Sequence, residues 1–507
     1  MIAGKVARFA VDYEPTPKQR MFHASTANEL LFGGAAGGGK SKAIVMDAFF
    51  RCLKFPGTKA YIFRRTYAEL EDTIIQEMRR SYPKGIGKYN VSRHEWTFPN
   101  GSQILCRHCA DIASMYDYKG AEIQWLYFDE LTSFPFQIYE FICTRIRAPK
   151  ALGVTPMIRS ASNPGDIGHG WVKERFVDAG PYGVLVPVRT YSETLNRYEV
   201  TYKQYIPSLA RENPHITNAY IMELERKPKA LRDAYLLGKW DAFEGQVFME
   251  WADLSGWENM KARRDLAWEE ARDNYRRRLY THVVEPFEIP PTWPRYMSYD
   301  HGHAKPFSCG WWAVGPDGAA YRYREWYGWN GSPNTGCGMT ISEIAKGIKD
   351  RERQEALEGI AIDRICDPAL FHRTTGDSIK QQFDQYGVHF RRGEHDRMAG
   401  KAEFHERLRF RDHSETDRAT GDKLSLEKAK PRLYVFSGCR HFIRTIPTLP
   451  YSLTKAEDVN TDAEDHVYDE ARYFLMSRPM LPENQRVVRP REFDPLENEE
   501  ATGYGGY

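Results

Sequence analysis

Residues 30–41 read LLFGGAAGGGKS, and this stretch decides the fold of the N-terminal half of the chain. Its residues Gly34, Gly39, Lys40 and Ser41 occupy the fixed positions of the G-x-x-x-x-G-K-[ST] template. Apolar residues precede the template, as an incoming strand would, and residues 42–49 have helical character. A flexible Gly/Ala loop before an ordinary helix is the alternative. The agreement of template and context favours a phosphate-binding loop between a strand and a helix.

The residue types of this loop suit a nucleotide triphosphate. Glycines let backbone N–H groups turn inward around a phosphate, and the helix N-terminus adds its positive dipole end. In such loops the lysine reaches the β- and γ-phosphates, and the hydroxyl holds Mg²⁺. We therefore expect ATP and Mg²⁺ to be bound by Gly34, Gly37, Gly38, Gly39, Lys40 and Ser41.

Gln19 lies a short distance upstream of the loop. In many ATPases that act on nucleic acids, a glutamine placed in this way reads the edge of the adenine. An exposed turn glutamine is an equally good interpretation of the residue alone. Gln19 is therefore a candidate for adenine binding.

Two further strands are predicted to end at the same site. Residues 124–130 read QWLYFDE, an apolar run that is typical of a strand buried on both faces of a parallel sheet. Because it follows the phosphate loop by about ninety residues, we expect Asp129 to hold Mg²⁺ through water and Glu130 to activate the attacking water. The strand that begins at Met157 leads to Asn163, which is a candidate sensor of the γ-phosphate. The sequence does not distinguish among candidates for the basic residue that completes the site, namely Arg64, Arg65, Lys119, Arg145 and Arg147.

The bulk composition limits the remaining possibilities. With 507 residues, 41% of them hydrophobic and 28% charged, the chain is expected to be soluble and to form two to four domains. It has no apolar run of the roughly 20 residues that a membrane span requires, and residues 1–13 contain no signal-peptide core. Eight scattered cysteines predict reduced thiols, and the lone C-x-x-C at 106–109 suits a structural strand better than a metal or redox site. Since the net charge is only +2, any contact with DNA must come from local patches.

A second domain is predicted to begin near Pro294. Its first strand leads to Asp300, and antiparallel neighbours joined by a turn at 315–318 suggest a ribonuclease-H-like sheet. A later strand ends at Asp367, and a predicted helix carries Asp469 on the face it shares with Asp465 and His466. We expect Asp300, Asp367 and Asp469 to converge on two Mg²⁺ or Mn²⁺ ions that cleave phosphodiesters, although each aspartate alone is more often a cap or turn residue.

Taken together, these elements resemble the large terminase subunit of tailed double-stranded DNA bacteriophages. In the N-terminal half the resemblance rests on 34–41, on Asp129-Glu130, and on 162–165 with 169–176. It extends to 237–245, which looks like the end of the family's lid and the start of its linker. In the C-terminal half it rests on 432–437 and 464–473, which look like the family's nuclease signature.

The resemblance has consequences for function. It implies a ring motor that hydrolyses ATP to drive double-stranded DNA into a procapsid and that cuts concatemers with a metal-dependent endonuclease. It also implies that Asp300, Asp367 and Asp469 supply the metal site and that His466 assists, either as a ligand or by contacting one. Glu325 is a reserve carboxylate, a further candidate ligand should one of the three aspartates not take part. The implied partners are double-stranded DNA, the portal protein, the small terminase subunit and further copies of the chain. The implied location is the host cytoplasm during assembly and not the mature virion.

The sequence therefore predicts an α/β protein that joins a P-loop ATPase with a parallel-type sheet to a ribonuclease-H-like nuclease. We expect the ATPase with its lid in 1–245, a linker with a charged helical insertion in 246–290, the nuclease in 291–480 and a mobile tail in 481–507. The insertion, 252–280, suits a solvated helix or a contact with DNA or a subunit. Two other functions remain open: a helicase-like DNA-repair ATPase with a non-catalytic DNA clamp, and a scaffold that binds nucleotide as a structural ligand.

Overall fold

The computed structural model describes residues 11–227, 229–240, 245–253, 281–373, 376–410, 430–452, 455 and 457–477. Most of the predicted insertion, the predicted tail and residues 241–244 lie outside the described residues. Within the described part of the chain, no helix has both the length and the apolar character that crossing a membrane requires. All eight cysteines are free.

Nine strands form the sheet of the N-terminal half. They are β1 (Glu29–Gly34), β2 (Lys59–Arg64), β3 (Lys88–Asn90), β4 (Glu95–Thr97), β5 (Gln103–His108), β6 (Trp125–Asp129), β7 (Met157–Ser162), β8 (Val186–Ser192) and β9 (Arg197–Ser208). Their order is β3-β4-β5-β2-β6-β7-β1-β9-β8. The six central strands from β5 to β9 run parallel, while β3, β4 and β8 are antiparallel additions at the edges. Because parallel strands end at one edge, this order brings the ends of β1, β6 and β7 together.

Side chains from both faces of this sheet are buried. Leu30 and Tyr127 pack into one core cluster, and Leu31 and Leu126 pack into another on the opposite face. The near-continuous apolar runs of β1 and β6 follow from this, since a strand covered on both sides has no solvent-facing positions. Helices cover the sheet, namely α1 (Pro17–Ala24), α2 (Lys40–Lys54), α3 (Tyr67–Glu69), α4 (Gln76–Ser81), α5 (Phe136–Cys143), α6 (His169–Val172), α7 (Asn218–Glu225) and α8 (Lys229–Tyr235).

The C-terminal half is built on a second sheet of seven strands. They are β10 (Val283–Val284), β11 (Arg295–Asp300), β12 (Ser308–Val314), β13 (Ala320–Tyr327), β14 (Ile362–Cys366), β15 (Arg391–Arg392) and β16 (Leu433–Phe436). The order is β10-β16-β13-β12-β11-β14-β15. Strands β11, β12 and β13 form the predicted antiparallel meander, and β14 joins β11 in parallel. This is the ribonuclease-H-like arrangement, so the predicted fold class is confirmed for both halves.

Among the described residues, six helices accompany the second sheet. They are α9 (Ile341–Arg351), α10 (Arg353–Leu357), α11 (Ile379–Gln385), α12 (Arg397–Leu408), α13 (Arg440–Thr445) and α14 (His466–Met476). Helix α14 lies on β11 and β12 and packs along α12. His405 to Leu408 form the last turn of α12, because Phe404 and Leu408 are buried in the core of this half.

Some residues of the predicted linker, 246–290, pack against the C-terminal half. Val247 and Phe248 are buried in the core of the C-terminal half, and Gln246 forms a β-bridge with Pro450. Strand β10, which lies inside the same predicted range, pairs with β16. The described parts of 246–290 therefore pack with the second sheet, because their apolar side chains are buried there and not exposed along a tether.

A buried ion pair joins α14 to the second sheet. The Glu470 carboxylate, which is fully buried, accepts hydrogen bonds from the Arg322 guanidinium at 2.6 Å, Ser308 at 3.1 Å and Trp312 at 3.2 Å. The Ser298 hydroxyl donates to the same carboxylate. Since a charge buried without its partner is costly, this network fixes α14 against β12 and β13.

Removing the carboxylate should therefore destabilise the protein. We expect Glu470→Ala to lower the free energy of unfolding of the C-terminal half by about 3–5 kcal/mol, because the fully buried Arg322 would lose its counter-charge. Urea denaturation followed by tryptophan fluorescence measures this change. The exposed Glu358 provides the control, and Glu358→Ala should change the same quantity by less than about 0.5 kcal/mol. Equal effects of the two substitutions would contradict the assignment.

Candidate active sites

The predicted phosphate loop connects β1 to α2. Gly34, Gly37 and Gly39 have φ of 124°, 74° and 75°, which L side chains rarely adopt. Gly39 is the N-cap of α2, and it has no side chain that could accept a hydrogen bond from the amides of the first turn. The amides of that turn are therefore not capped by a side chain, and they suit a phosphate at the helix N-terminus.

The side chain of Lys40 points back over this loop and is buried. Its Nζ donates hydrogen bonds to the Ala35 carbonyl at 2.6 Å and to Asn163 Oδ1 at 2.8 Å. Burial lowers the pKa of Lys40, while the nearby Glu130 and Asp129 carboxylates raise it. The ammonium is thus held at the mouth of the loop between a carbonyl and the end of β7.

Residues at and beyond the end of β9, the neighbour of β1, hold the loop from the other side. The Ser208 hydroxyl donates to the Gly38 carbonyl at 3.0 Å, and Asn213 Nδ2 donates to the Gly37 carbonyl at 2.6 Å. A Cβ at position 38 would lie 1.8 Å from the Ser208 Oγ. The loop conformation therefore depends on glycine at position 38 for close approach.

The structure places Gln19 against the phosphate loop. Its Nε2 donates to the Gly39 carbonyl at 2.9 Å, and its Oε1 accepts from the Thr16 amide at 2.9 Å in a capping box that begins α1. The amide thus ties α1 to the start of α2. The predicted contact with adenine remains a prediction.

At the end of β6, Asp129 and Glu130 lie beside the loop. The Ser41 hydroxyl donates to Asp129 Oδ1 at 3.1 Å, and Arg64 Nε donates to Asp129 Oδ2 at 2.8 Å. Arg64 Nη2 lies 3.7 Å from Glu130 Oε1. In phosphate-loop ATPases a loop hydroxyl and a strand-end carboxylate hold Mg²⁺, and Ser41 and Asp129 are the two residues that would do so here.

Glu130 has an unusual backbone and an unusual environment. Its φ of 57° places it in the left-handed region, where residues other than glycine are uncommon and often functional. Burial and the adjacent Asp129 raise the pKa of Glu130, while Lys40 and Arg64 lower it. The carboxylate therefore sits at the edge of the phosphate loop with its basicity increased.

Asn163 links the two halves of this site. While its Oδ1 accepts from Lys40 at 2.8 Å, its Nδ2 donates to Glu130 Oε1 at 3.2 Å. One amide thus contacts both the loop lysine and the carboxylate predicted to activate water. A change at the γ-phosphate position would reach Glu130 through this side chain.

The segment behind Asn163 continues to the predicted lid. The Gly165 amide donates to His169 Nδ1 at 2.9 Å, which leaves His169 Nε2 to donate to the Trp240 carbonyl at 3.0 Å. The two rings stack with centroids 5.3 Å apart. The turn after β7 is therefore mechanically connected to residue 240.

The candidate basic residues separate in the structure. Arg64 contacts the acidic pair directly, whereas Arg65 donates to the Ser133 carbonyl at 3.1 Å. Arg147 lies 3.7 Å from Glu122, and Arg145 donates to Thr144 and to the carbonyl of Lys119. Arg64 is thus the candidate that lies directly at Asp129 and Glu130.

The second site lies where β11 and β14 end. Asp300 is the last residue of β11, and Asp367 follows β14, with its amide donating to the Tyr299 carbonyl at 3.3 Å. Asp469 lies in the first turn of α14, which packs on β11. The three aspartates that the sequence predicts are therefore brought to one edge of the sheet.

The charges at this edge interact. Burial, together with the Asp469 and Asp367 carboxylates, raises the pKa of Asp300 to about 6 against the opposing effect of His466. Burial and Asp469 raise the pKa of Asp465, the N-cap of α14, to about 8. Several carboxylates thus share one poorly solvated region, which makes their simultaneous ionisation costly.

Sequence reasoning missed some of the groups around these carboxylates. Arg397 and Asp458 come from other segments, and Arg397 forms ion pairs with Asp458 and Asp469. His466, which was named, lies with Nδ1 3.5 Å from Asp300 Oδ2, and its Nε2 lies 2.9 Å from Asn334 Oδ1. No local sequence signal marks Arg397, Asp458 or Asn334.

Glu325, the reserve carboxylate, lies elsewhere. It accepts hydrogen bonds from the amides of His441 at 2.6 Å and Phe442 at 3.2 Å, and it thereby caps the start of α13. Its carboxylate is committed to those two amides.

The donor set suits a hard divalent cation, since Mg²⁺ and Mn²⁺ prefer carboxylate oxygens and a positive charge would relieve the crowding. Asp300, Asp367 and Asp469 are the residues that would hold it. In the described part of the chain, however, no three His, Cys, Asp or Glu side chains are gathered closely enough to form a ready metal centre. The carboxylates suit a divalent cation in their chemistry, and their side chains would have to move closer together to bind it.

Known proteins resemble the chain in sequence and in structure. Residues 26–236 match the family model for the phage terminase large subunit. The chain is similar to the large terminase of a thermophilic bacteriophage, with 15% identity over 92% of this chain and 99% of that one and a TM-score of 0.37.

Two single-domain structures are also similar to parts of the chain. The Thermus phage P74-26 large terminase ATPase domain is 17% identical over 45% of this chain and 95% of that one, with a TM-score of 0.32. The P22 large terminase nuclease domain is 17% identical over 39% of this chain and 87% of that one, with a TM-score of 0.28. No curated protein sequence matches the chain.

Proposed function

We propose that the chain is a phage terminase large subunit, since residues 26–236 match that family model, and that it uses ATP to move double-stranded DNA into a procapsid. We further propose that its C-terminal half cuts concatemeric DNA as a metal-dependent endonuclease. The observation that carries the ATPase proposal is the Asn163 amide, which joins Lys40 at 2.8 Å to Glu130 at 3.2 Å.

In the N-terminal half, each side chain has one task in hydrolysis. The loop amides and Lys40 bind and orient the β- and γ-phosphates, which fixes the direction of attack. Ser41 and Asp129 would hold Mg²⁺, which supplies charge stabilisation at the transferred phosphoryl group. Glu130 takes the proton from the attacking water, and Asn163 holds Glu130 in position while it contacts Lys40.

Asn163 also suggests how hydrolysis is coupled to movement. Its turn is connected through His169 to the Trp240 carbonyl at 3.0 Å. When the γ-phosphate leaves, Lys40 and Asn163 lose a shared partner, and the turn can shift against residue 240. Arg64, which contacts Asp129 at 2.8 Å, is the residue we assign to completing the site in cis.

In the C-terminal half, the carboxylates of Asp300, Asp367 and Asp469 would hold two Mg²⁺ or Mn²⁺ ions that activate water and stabilise the leaving oxygen. His466, 3.5 Å from Asp300, orients that carboxylate. The raised pKa of Asp300 and the crowding of its neighbours support a site that is completed by cations.

The proposed function gives each part of the chain a role and requires several partners. We place the ATPase in 1–245 and the nuclease in 291–480, with 246–290 joining them and 481–507 forming a tail. The partners are the portal protein, the small terminase subunit and further copies of the chain in a ring. The place of action is the host cytoplasm during virion assembly.

One pair of measurements on the full chain tests both activities. We expect the wild type to hydrolyse ATP and to nick supercoiled plasmid with Mn²⁺ or Mg²⁺. Asn163→Ala should lower the rate of ATP hydrolysis about 10- to 100-fold, because Glu130 and Lys40 lose their common partner, and should leave plasmid cutting unchanged. Loss of both activities, or of neither, would refute the division of roles.

A further inference from the structure

Arg397 occupies an unexpected place in the second site. It is the first residue of α12, which packs along α14. Its Nε lies 3.0 Å from both Asp458 oxygens, and its Nη1 lies 3.1 Å from both Asp469 oxygens. Its Nη2 lies 3.7 Å from Asp465 Oδ2, and this buried nitrogen has no hydrogen-bond partner among the described residues. One guanidinium thus faces three carboxylates.

The three carboxylates differ in what else holds them. Asp458 also accepts a hydrogen bond from the Val459 amide at 2.8 Å, so it is fixed by its own backbone and lies outside the predicted metal ligands. Asp469, one of those predicted ligands, also accepts from the buried Arg472, whose Nη2 lies 3.1 Å from Asp469 Oδ1. Asp465 lies next to the predicted ligands at the start of α14. Arg397 is therefore anchored on one side by Asp458 and reaches into the proposed metal cluster on the other.

We propose that Arg397 is a positioning residue that acts as a tethered counter-cation of the nuclease site. Without metal it neutralises Asp469 and keeps α14 in place against the repulsion of the carboxylates. When a divalent cation takes Asp469, the guanidinium gives up that contact and stays paired with Asp458. The inference rests on the proposed nuclease function and adds to it a residue that sets how tightly the site binds metal.

The proposal has a defined thermodynamic consequence. An ion pair that exists only in the metal-free protein stabilises that state, and metal must displace it to bind. Removing the guanidinium should therefore tighten metal binding and destabilise the metal-free protein. A purely structural arginine would do the second and not the first.

The test is calorimetric titration of the full chain with Mn²⁺, together with melting temperatures in EDTA. Arg397→Met removes the charge and keeps much of the apolar stem. We expect its Mn²⁺ dissociation constant to fall about 3- to 30-fold and its metal-free melting temperature to fall. Arg397→Lys keeps a cation and should restore the wild-type dissociation constant to within about threefold. Arg353→Met, at an exposed position on α10, is the matched control and should change neither quantity.

The possible outcomes distinguish failure of the role of Arg397 from failure of the proposed nuclease function. In one outcome the wild type binds Mn²⁺, Asp300→Asn abolishes that binding and Arg397→Met keeps the same affinity. That result overturns the role of Arg397 and leaves the proposed nuclease site standing. Weaker binding in Arg397→Met also overturns it, because the guanidinium would then assist the metal. No Mn²⁺ binding by the wild type overturns the proposed nuclease site and the inference with it.

Discussion

Glu130→Gln is expected to lower the rate of ATP hydrolysis by about 10²- to 10⁴-fold while ATP binding is retained. The amide has nearly the shape of the carboxylate, so the contacts to Asn163 and the loop can persist. The amide cannot accept the proton of the attacking water, so the substitution removes the proton-transfer step. Phosphate release and the binding of a fluorescent ATP analogue measure the two quantities separately.

A matched control is available nearby. Glu140 is exposed on α5, and Glu140→Gln should leave both hydrolysis and binding unchanged. If Glu130→Gln hydrolysed ATP at the wild-type rate, Glu130 would not be the base. If it lost ATP binding as well, Glu130 would be serving the structure of the loop.

Asp300→Asn is expected to lower metal-dependent plasmid cutting by at least about 10³-fold and to leave ATP hydrolysis unchanged. The substitution removes the most buried of the predicted ligands, and the loss of several kcal/mol of charge stabilisation corresponds to a rate factor of this size. Gel analysis of supercoiled plasmid with Mn²⁺ gives the rate. Asp350→Asn, at a half-exposed surface position, should cut normally.

The melting temperature of Asp300→Asn shows whether a loss of cutting comes from misfolding. Since the folded-state pKa of Asp300 is raised to about 6, ionisation above that pH costs the folded state free energy that the unfolded state does not pay. Asp300→Asn removes the cost, so its melting temperature in EDTA at neutral pH should equal or exceed that of the wild type. A lower melting temperature together with lost cutting would point to misfolding.

Local patterns were sufficient for much of the first site. The phosphate loop, the end of β6 and the end of β7 each carry their signal within a few residues, and parallel pairing places them together at one edge. The fold class of both halves followed from the same kind of signal. The burial of Val247 and Phe248 was less predictable, because it depends on a core assembled from distant segments.

The sequence by itself determined the fold class of both halves, the loop with Lys40 and Ser41, and the aspartates that end β11 and β14, since strand periodicity and motif spacing are local properties. Only the tertiary structure decided that Asn163 joins Lys40 to Glu130 and that Gln19 contacts the loop. It alone placed Arg397 between Asp458 and Asp469, which lie 61 and 72 residues away in sequence. The physical reason is that the partner of a charge is chosen by packing of whole elements, here α12 along α14, and no spacing rule along the chain records that choice.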